Sequence, residues 1–285
     1  MSFRERMMQK KKGLKKRHNT PSKSTAFPTI FLKNKVPAGV NFFICKEGEH
    51  IVDILPWEAG PNMPLDDTGT GPITDEGELD YVLDVFVHQN VGSMKQPYVC
   101  PWENFRKPCP ICEYIKANRL PKEEWSNKRA KRRSIYLIWN RTTVEEEKKG
   151  VQIFDAAHFF MEEKLDEIAR LPRGGGYITF SDPDKGKSVC WTRKGSGREN
   201  TSYLGHKFIE RETKIPDKIL DATFSLDSVI HMHPEYEEIE KAFYGTGEKK
   251  EEEKSESKPK TEKKKSAKKK LKPKKKSKLD DDIPY

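Results

Sequence analysis

Through the middle of the chain, apolar and polar residues alternate over short runs. Residues 50–56 (His-Ile-Val-Asp-Ile-Leu-Pro) and 81–88 (Tyr-Val-Leu-Asp-Val-Phe-Val-His) have the period-two, β-branched and aromatic character of strands. Residues 135–140 and 151–154 predict a hairpin pair around a charged loop at 142–150. The spacing then turns helical over 156–170, with Phe160, Leu165, Ile168 and Ala169 on one face, and the run Gly174–Gly176 ends that unit. Further strands are expected at 177–181, 188–193 and 203–211, and a helix at about 235–243 closes the body. Short strands with interposed helices predict a mainly β fold, a small elaborated barrel rather than a parallel sheet. No glycine-rich phosphate loop follows a strand, and no internal repeat occurs.

Charge divides the 285 residues into parts. Residues 1–20 hold eight Lys/Arg against one Glu, and residues 249–278 hold sixteen Lys against five Glu. The last seven residues carry three Asp, which leaves a mildly acidic body within a net charge of +10. We therefore expect a basic N-terminal arm over 1–40, a folded core over 41–245, a disordered Lys-rich linker over 246–278 and an acidic tip over 279–285. No apolar run approaches the roughly 20 residues of a membrane span, and no apolar stretch follows the basic N-terminus as in a secretory signal. Five cysteines, two of them two residues apart, point to an intracellular metal site rather than a disulfide scaffold.

That site is expected at His88, Cys100, Cys109 and Cys112. A Cys-x-x-Cys turn lets two thiolates reach one ion, and a third thiolate and an imidazole complete the tetrahedron that structural zinc prefers. Four protein ligands leave no open position for water. His50 is the alternative fourth ligand, although it lies farther from the cysteines; Cys45 and Cys190 read as core residues. Pro108-Cys-Pro-Ile-Cys112 also matches half of the nucleobase deaminase signature, but Gln89-Asn90 follows His88 where those enzymes need His-x-Glu.

Cations and aromatics then come together. Lys128-Arg-Ala-Lys-Arg-Arg133 leads into Ile135-Tyr-Leu-Ile-Trp-Asn-Arg141, and a second cluster holds Lys185, Lys187, Trp191, Arg193, Lys194, Arg198 and Tyr203. This composition suits single-stranded nucleic acid: cations follow phosphates, and exposed rings stack on bases at about 1–3 kcal/mol each. Tyr136 and Trp139 differ by an odd number, so they face opposite sides of a strand. Tyr136, nearest the basic run, is expected to be the exposed ring, followed by Phe154 and Tyr203.

The order of strand, His88, three cysteines, polar helix, basic run, Tyr136, helix and two strands joined by Lys194-Gly-Ser-Gly-Arg-Glu-Asn200 resembles the single-stranded DNA-binding proteins of T-even bacteriophages. The resemblance covers about 45–220. It implies an OB-fold with an inserted zinc subdomain at about 88–118 and no enzymatic activity. Residues stacking on bases would be Phe105, Trp125, Tyr136, Phe154 and Tyr203, with Lys131, Arg132 and Arg133 on phosphates. It further implies a role in phage DNA replication, recombination and repair in the cytoplasm of the infected bacterium. A basic N-terminal arm would mediate self-association along DNA, and Ser22-Lys23-Ser24-Thr25 loosely echoes the family's arm motif.

The C-terminus departs from that family. Its ending, Leu279-Asp-Asp-Asp-Ile-Pro-Tyr285, resembles the tip of bacterial single-stranded DNA-binding proteins. Asp280, Asp281, Asp282 and the terminal carboxylate would meet a basic rim on a replication or repair enzyme, with Ile283, Pro284 and Tyr285 in an apolar pocket. The alternative classes are a zinc-containing nucleic-acid enzyme and a peptide-binding adaptor.

Overall fold

The computed structural model describes residues 29–245, except for the side chains of Arg198 and Glu199. The chain divides into two units, Met1–Gly247 and Glu248–Tyr285. The expected linker and tip, and the expected arm up to residue 28, lie outside the described residues.

Ten strands occur among the described residues: β1 (Asn41–Phe42), β2 (Gly48–Leu55), β3 (Trp57–Glu58), β4 (Leu79–Asp80), β5 (Leu83–Val91), β6 (Gln96–Val99), β7 (Lys131–Asn140), β8 (Val151–Ala157), β9 (Lys187–Lys194) and β10 (Ser202–Glu210). Eight of them form one sheet in the order β1-β8-β7-β2-β9-β10, with β5 on β7 and β6 on β5. β1 and β8 run parallel and the other pairs antiparallel, so the sheet is mixed. It forks at β7. One edge of β7 pairs with β8, and its other edge is shared between β5 over Lys131–Ile135 and β2 over Leu137–Asn140. β1 and β10 remain as edges, so the described strands do not close into the barrel that the sequence predicts.

β7 is rich in β-branched and aromatic residues and is buried on both faces. Ile135 and Leu137 join Leu55, Val85 and Ile153 in one core; Tyr136 and Ile138 join Val52, Phe154 and Trp191 in the other. Helix α5 (Glu162–Ala169) covers the second face, with Leu165 and Ala169 buried one turn apart. The helix expected over 156–170 is shorter because sheet pairing wins at its start. β8 follows β7 as far as Ala157, and a 3₁₀ turn at His158–Phe160 precedes α5. Residues 177–181 form no strand. Tyr177 makes a single bridge to Arg170, and the chain turns after Phe180, where the buried Arg211 guanidinium holds the carbonyls of Phe180, Asp182 and Pro183. Arg211 also pairs at 2.9 Å with Asp53, which is fully buried on β2.

A third core forms a lobe on β5–β6. It holds helices α1 (Pro101–Phe105), α2 (Pro110–Ala117) and α3 (Lys122–Lys128), and it is closed by α8 (Tyr236–Tyr244). The remaining short helices are α4 (Val144–Glu147), α6 (Gly197–Asn200) and α7 (Asp217–Leu220). Ile239 of α8 is fully buried beside Cys100, Cys109, Ile111 and Cys112. Gly92, in the β5–β6 turn at φ +65°, makes this closure possible: a Cβ there would lie 1.9 Å from the Ala242 carbonyl oxygen. Gly92→Ala combines that clash with an unfavourable left-handed backbone. It is expected to destabilise the fold by about 2 kcal/mol in urea titration, whereas Gly150→Ala, with open space around it, should cost less.

Candidate metal centre and cation-lined clefts

His88, Cys100, Cys109 and Cys112 converge as the sequence predicts. Their ligand atoms all lie within 4.8 Å of one another, and the set could hold a metal ion. Cys100 and Cys109 each precede a proline that opens a helix, and both have extended backbones, the conformation a following proline imposes. Each thiol therefore sits at a helix entrance, and Cys112 follows in the first turn of α2. His88 comes from β5; its Nδ1 donates to the Lys128 carbonyl at 2.9 Å, which leaves Nε2 facing the sulfurs. Asn104, nearly fully buried, ties α1 to the same strand. It accepts from Phe86 N and donates to the carbonyls of Phe86 and Cys100 at 2.8–2.9 Å.

The spacing fits a tetrahedral ion. Metal–ligand bonds of about 2.0–2.3 Å give tetrahedral edges of roughly 3.5–3.8 Å. Nε2 of His88 lies 3.5 Å from the sulfurs of both Cys109 and Cys112, and Cys100 and Cys112 are 3.5 Å apart. Hydrogen bonds from Cys100 and then Cys112 hold the Cys109 thiol well below the ordinary range, while the bond to that thiolate pushes Cys100 far above it. One thiolate is thus favoured at its neighbours' expense, a conflict that a divalent cation removes. His50, the alternative ligand, lies elsewhere: its Nε2 bonds the Lys46 carbonyl at 2.7 Å, and its ring lies 5.4 Å from Trp191. Cys190 is buried and Cys45 half-buried, both unpaired.

The structure separates the other expected site residues. Tyr136, Phe154 and Trp191 are buried, which corrects the expectation that these rings face a ligand. Parity exposes Tyr136 only where one face of β7 is open, and α5 covers that face. The Tyr136 hydroxyl donates to Glu162 at 2.7 Å, beside a second bond from Tyr81 at 2.6 Å; burial raises the Glu162 pKa despite them. Trp191 stacks on Phe154 at 5.7 Å within the core. It is Trp139, not Tyr136, that is partly exposed, with Arg141 lying 4.4 Å from its ring. Tyr203 is half-buried against Phe160 at 5.2 Å. Phe105 packs on the first core and meets His233 at 4.2 Å. Among the cations, Arg132 pairs with Asp84 at 2.7 Å and Arg133 with Asp155. Arg193 bonds Thr201 on the β9–β10 branch, Lys194 there is exposed, and the Arg198 side chain lies outside the described residues.

Trp125 is exposed on α3 with the Arg129 guanidinium 5.0 Å from its ring. It lines a cleft of about 310 Å³ with Phe86, Ile115, Lys116 and Arg129. Trp102 on α1, which sequence reasoning missed, has Lys116 Nζ 3.7 Å from its ring centroid. A cleft of about 880 Å³ opens on the lobe beside the β5–β6 hairpin, with Lys95, Lys128 and Lys131 among its lining residues. Only the position of Trp102 between two ligands could have marked it in the sequence. No protein-family model matches the chain, and no curated protein matches it significantly.

Cys109→Ser is expected to abolish metal binding, read by elemental mass spectrometry, and to lower the midpoint of thermal unfolding. Undiminished metal content would refute the ligand set.

Proposed function

We propose that the protein coats single-stranded DNA without a fixed recognition sequence, and that a single structural zinc holds its metal lobe. Three thiolates and one imidazole form a donor set suited to zinc, with no position left for substrate. The observation that carries the reading is the concentration of cations and exposed tryptophans around this lobe. Lys95, Lys128 and Lys131 line the larger cleft together with Glu123 and Glu124, the latter 3.8 Å from Lys128, and Trp102 and Trp125 each carry a cation against the ring. Phosphates meet the first group and unpaired bases stack on the second. On this reading the forked sheet is an open variant of the OB-fold, and the protein belongs with the T-even phage single-stranded DNA-binding proteins in the infected bacterium. No helix among the described residues is long and apolar enough to cross a membrane.

A binding role also fits the polar network beneath β7. Ser134 and Asp84 both reach His158 through Nδ1, at 2.9 and 3.2 Å. The ring therefore does not stand between them as a Ser-His-Asp relay requires. The N-terminal arm would link neighbouring protomers along DNA, and the C-terminal tip would recruit replication and repair enzymes. Deleting residues 279–285 is expected to abolish capture of such partners and to leave DNA binding intact or stronger.

A gel shift of single strand against duplex tests the central claim. Single strand should bind more tightly, with log affinity falling against log salt at about −0.7 per phosphate neutralised. Trp125→Ala should weaken binding by about 1–3 kcal/mol while leaving the thermal midpoint nearly unchanged. Equal affinity for duplex, or a flat salt titration, would overturn the reading.

A further inference from the structure

The larger cleft holds a feature that the stacking account does not use. β5 and β6 pair regularly at Val87–Val99 and His88–Tyr98, then slip, so that Gln89 and Asn90 together oppose Pro97 before Val91 meets Gln96. Pro97 has no N–H to donate, so the ladder breaks at this point and a bulge takes up the extra residue. Asn90 sits at φ +56°, which Asn tolerates better than most residues. The bulge directly follows His88, whose position the metal ligands and the Lys128 carbonyl fix.

Gln89, Asn90 and Lys95 line both the cleft of about 880 Å³ and a neighbouring one of about 320 Å³ that reaches Arg133 and Asp155. The two clefts thus meet over the bulge. Phe243 is the sole aromatic side chain lining either of them. A strand lying here finds the cations Lys95, Lys128, Lys131 and Arg133, the carboxylates Glu123, Glu124 and Asp155, and carboxamides, rather than stacking platforms.

We propose that Gln89 and Asn90 are specificity-determining residues that hydrogen-bond the edges of unpaired bases and bias binding toward adenine-rich strands. This inference rests on the single-strand reading above. A carboxamide presents one donor and one acceptor side by side. Adenine offers the complementary pair on its Watson–Crick edge, N6 with N1, and again on its Hoogsteen edge, N6 with N7, the usual bidentate partner of Asn and Gln; thymine offers its pairs, N3–H with O2 or O4, on the Watson–Crick edge alone. The outcome is a bias in composition, not a recognition sequence.

The test compares full-length protein with Gln89→Ala/Asn90→Gly, titrating oligo(dA) and oligo(dT) of equal length at fixed salt. Glycine keeps the left-handed backbone, so the bulge and the metal site survive; metal content and thermal midpoint confirm this. Oligo(dA) stacks on itself, so the quantity read is the change in the dT/dA ratio of dissociation constants. The ratio should fall roughly fivefold or more in the variant, with the salt slope unchanged. Asn90→Gly alone, the milder variant, should show part of the fall. A ratio equal in wild type and both variants overturns this inference and leaves single-strand binding standing. Failure of the wild type to bind either oligomer overturns the single-strand reading itself.

Discussion

Both faces and both edges of β7 are occupied, and the layout of the molecule follows from that. Its apolar residues alternate between two cores, so no ring in its interior is free to meet a ligand. Its forked edge sends β2, β9 and β10 one way and β5 with β6 the other. Its basic N-terminal end, Lys131–Arg133, pairs along β5 and brings cations to the root of the metal lobe. On the proposed reading, the surface that meets a polyanion lies on the lobe rather than on the sheet. There a bound ion would give the small third core what hydrophobic burial alone does not supply. Few apolar residues line it, and small cores commonly depend on a metal or other crosslink.

The lobe's construction is local at three ligands and distant at its supports. Proline fixes the backbone before two helices, and the Cys-x-x-Cys turn supplies two sulfurs within one helical turn. The imidazole arrives on a strand, and its tautomer is set by the carbonyl at the end of α3. That carbonyl belongs to Lys128, which also lines the larger cleft. Metal geometry and the cationic wall are thus joined through a single residue.

What the sequence made legible follows this division. The four ligands could be read because thiolate spacing is a short-range constraint. The strands over 48–55, 83–91, 187–194 and 202–210 could be read because alternation or a β-branched run survives in each. The exposed ring could not be read. Tyr136 and Trp139 have opposite parity, but parity does not say which face a helix twenty-five residues later will cover. The same limit hid Trp102 and the bulge at Gln89–Asn90, whose significance depends on neighbours in space. Residues 177–181 have strand-like composition, but Arg211 takes the Phe180 carbonyl and those of Asp182 and Pro183 just beyond, where the chain turns.

The buried face of Ile239 bears on how the molecule is made. Synthesis runs from the N-terminus, so the cysteine-bearing segment leaves the ribosome more than one hundred residues before the helix that seals it. Until then the underside of the lobe is open to water and to other nascent chains. Early capture of the ion would hold Cys100, Cys109 and Cys112 away from oxidation and mispairing during that interval. An ion bound there would act first as a chaperone for an unfinished lobe, and only later as part of its architecture.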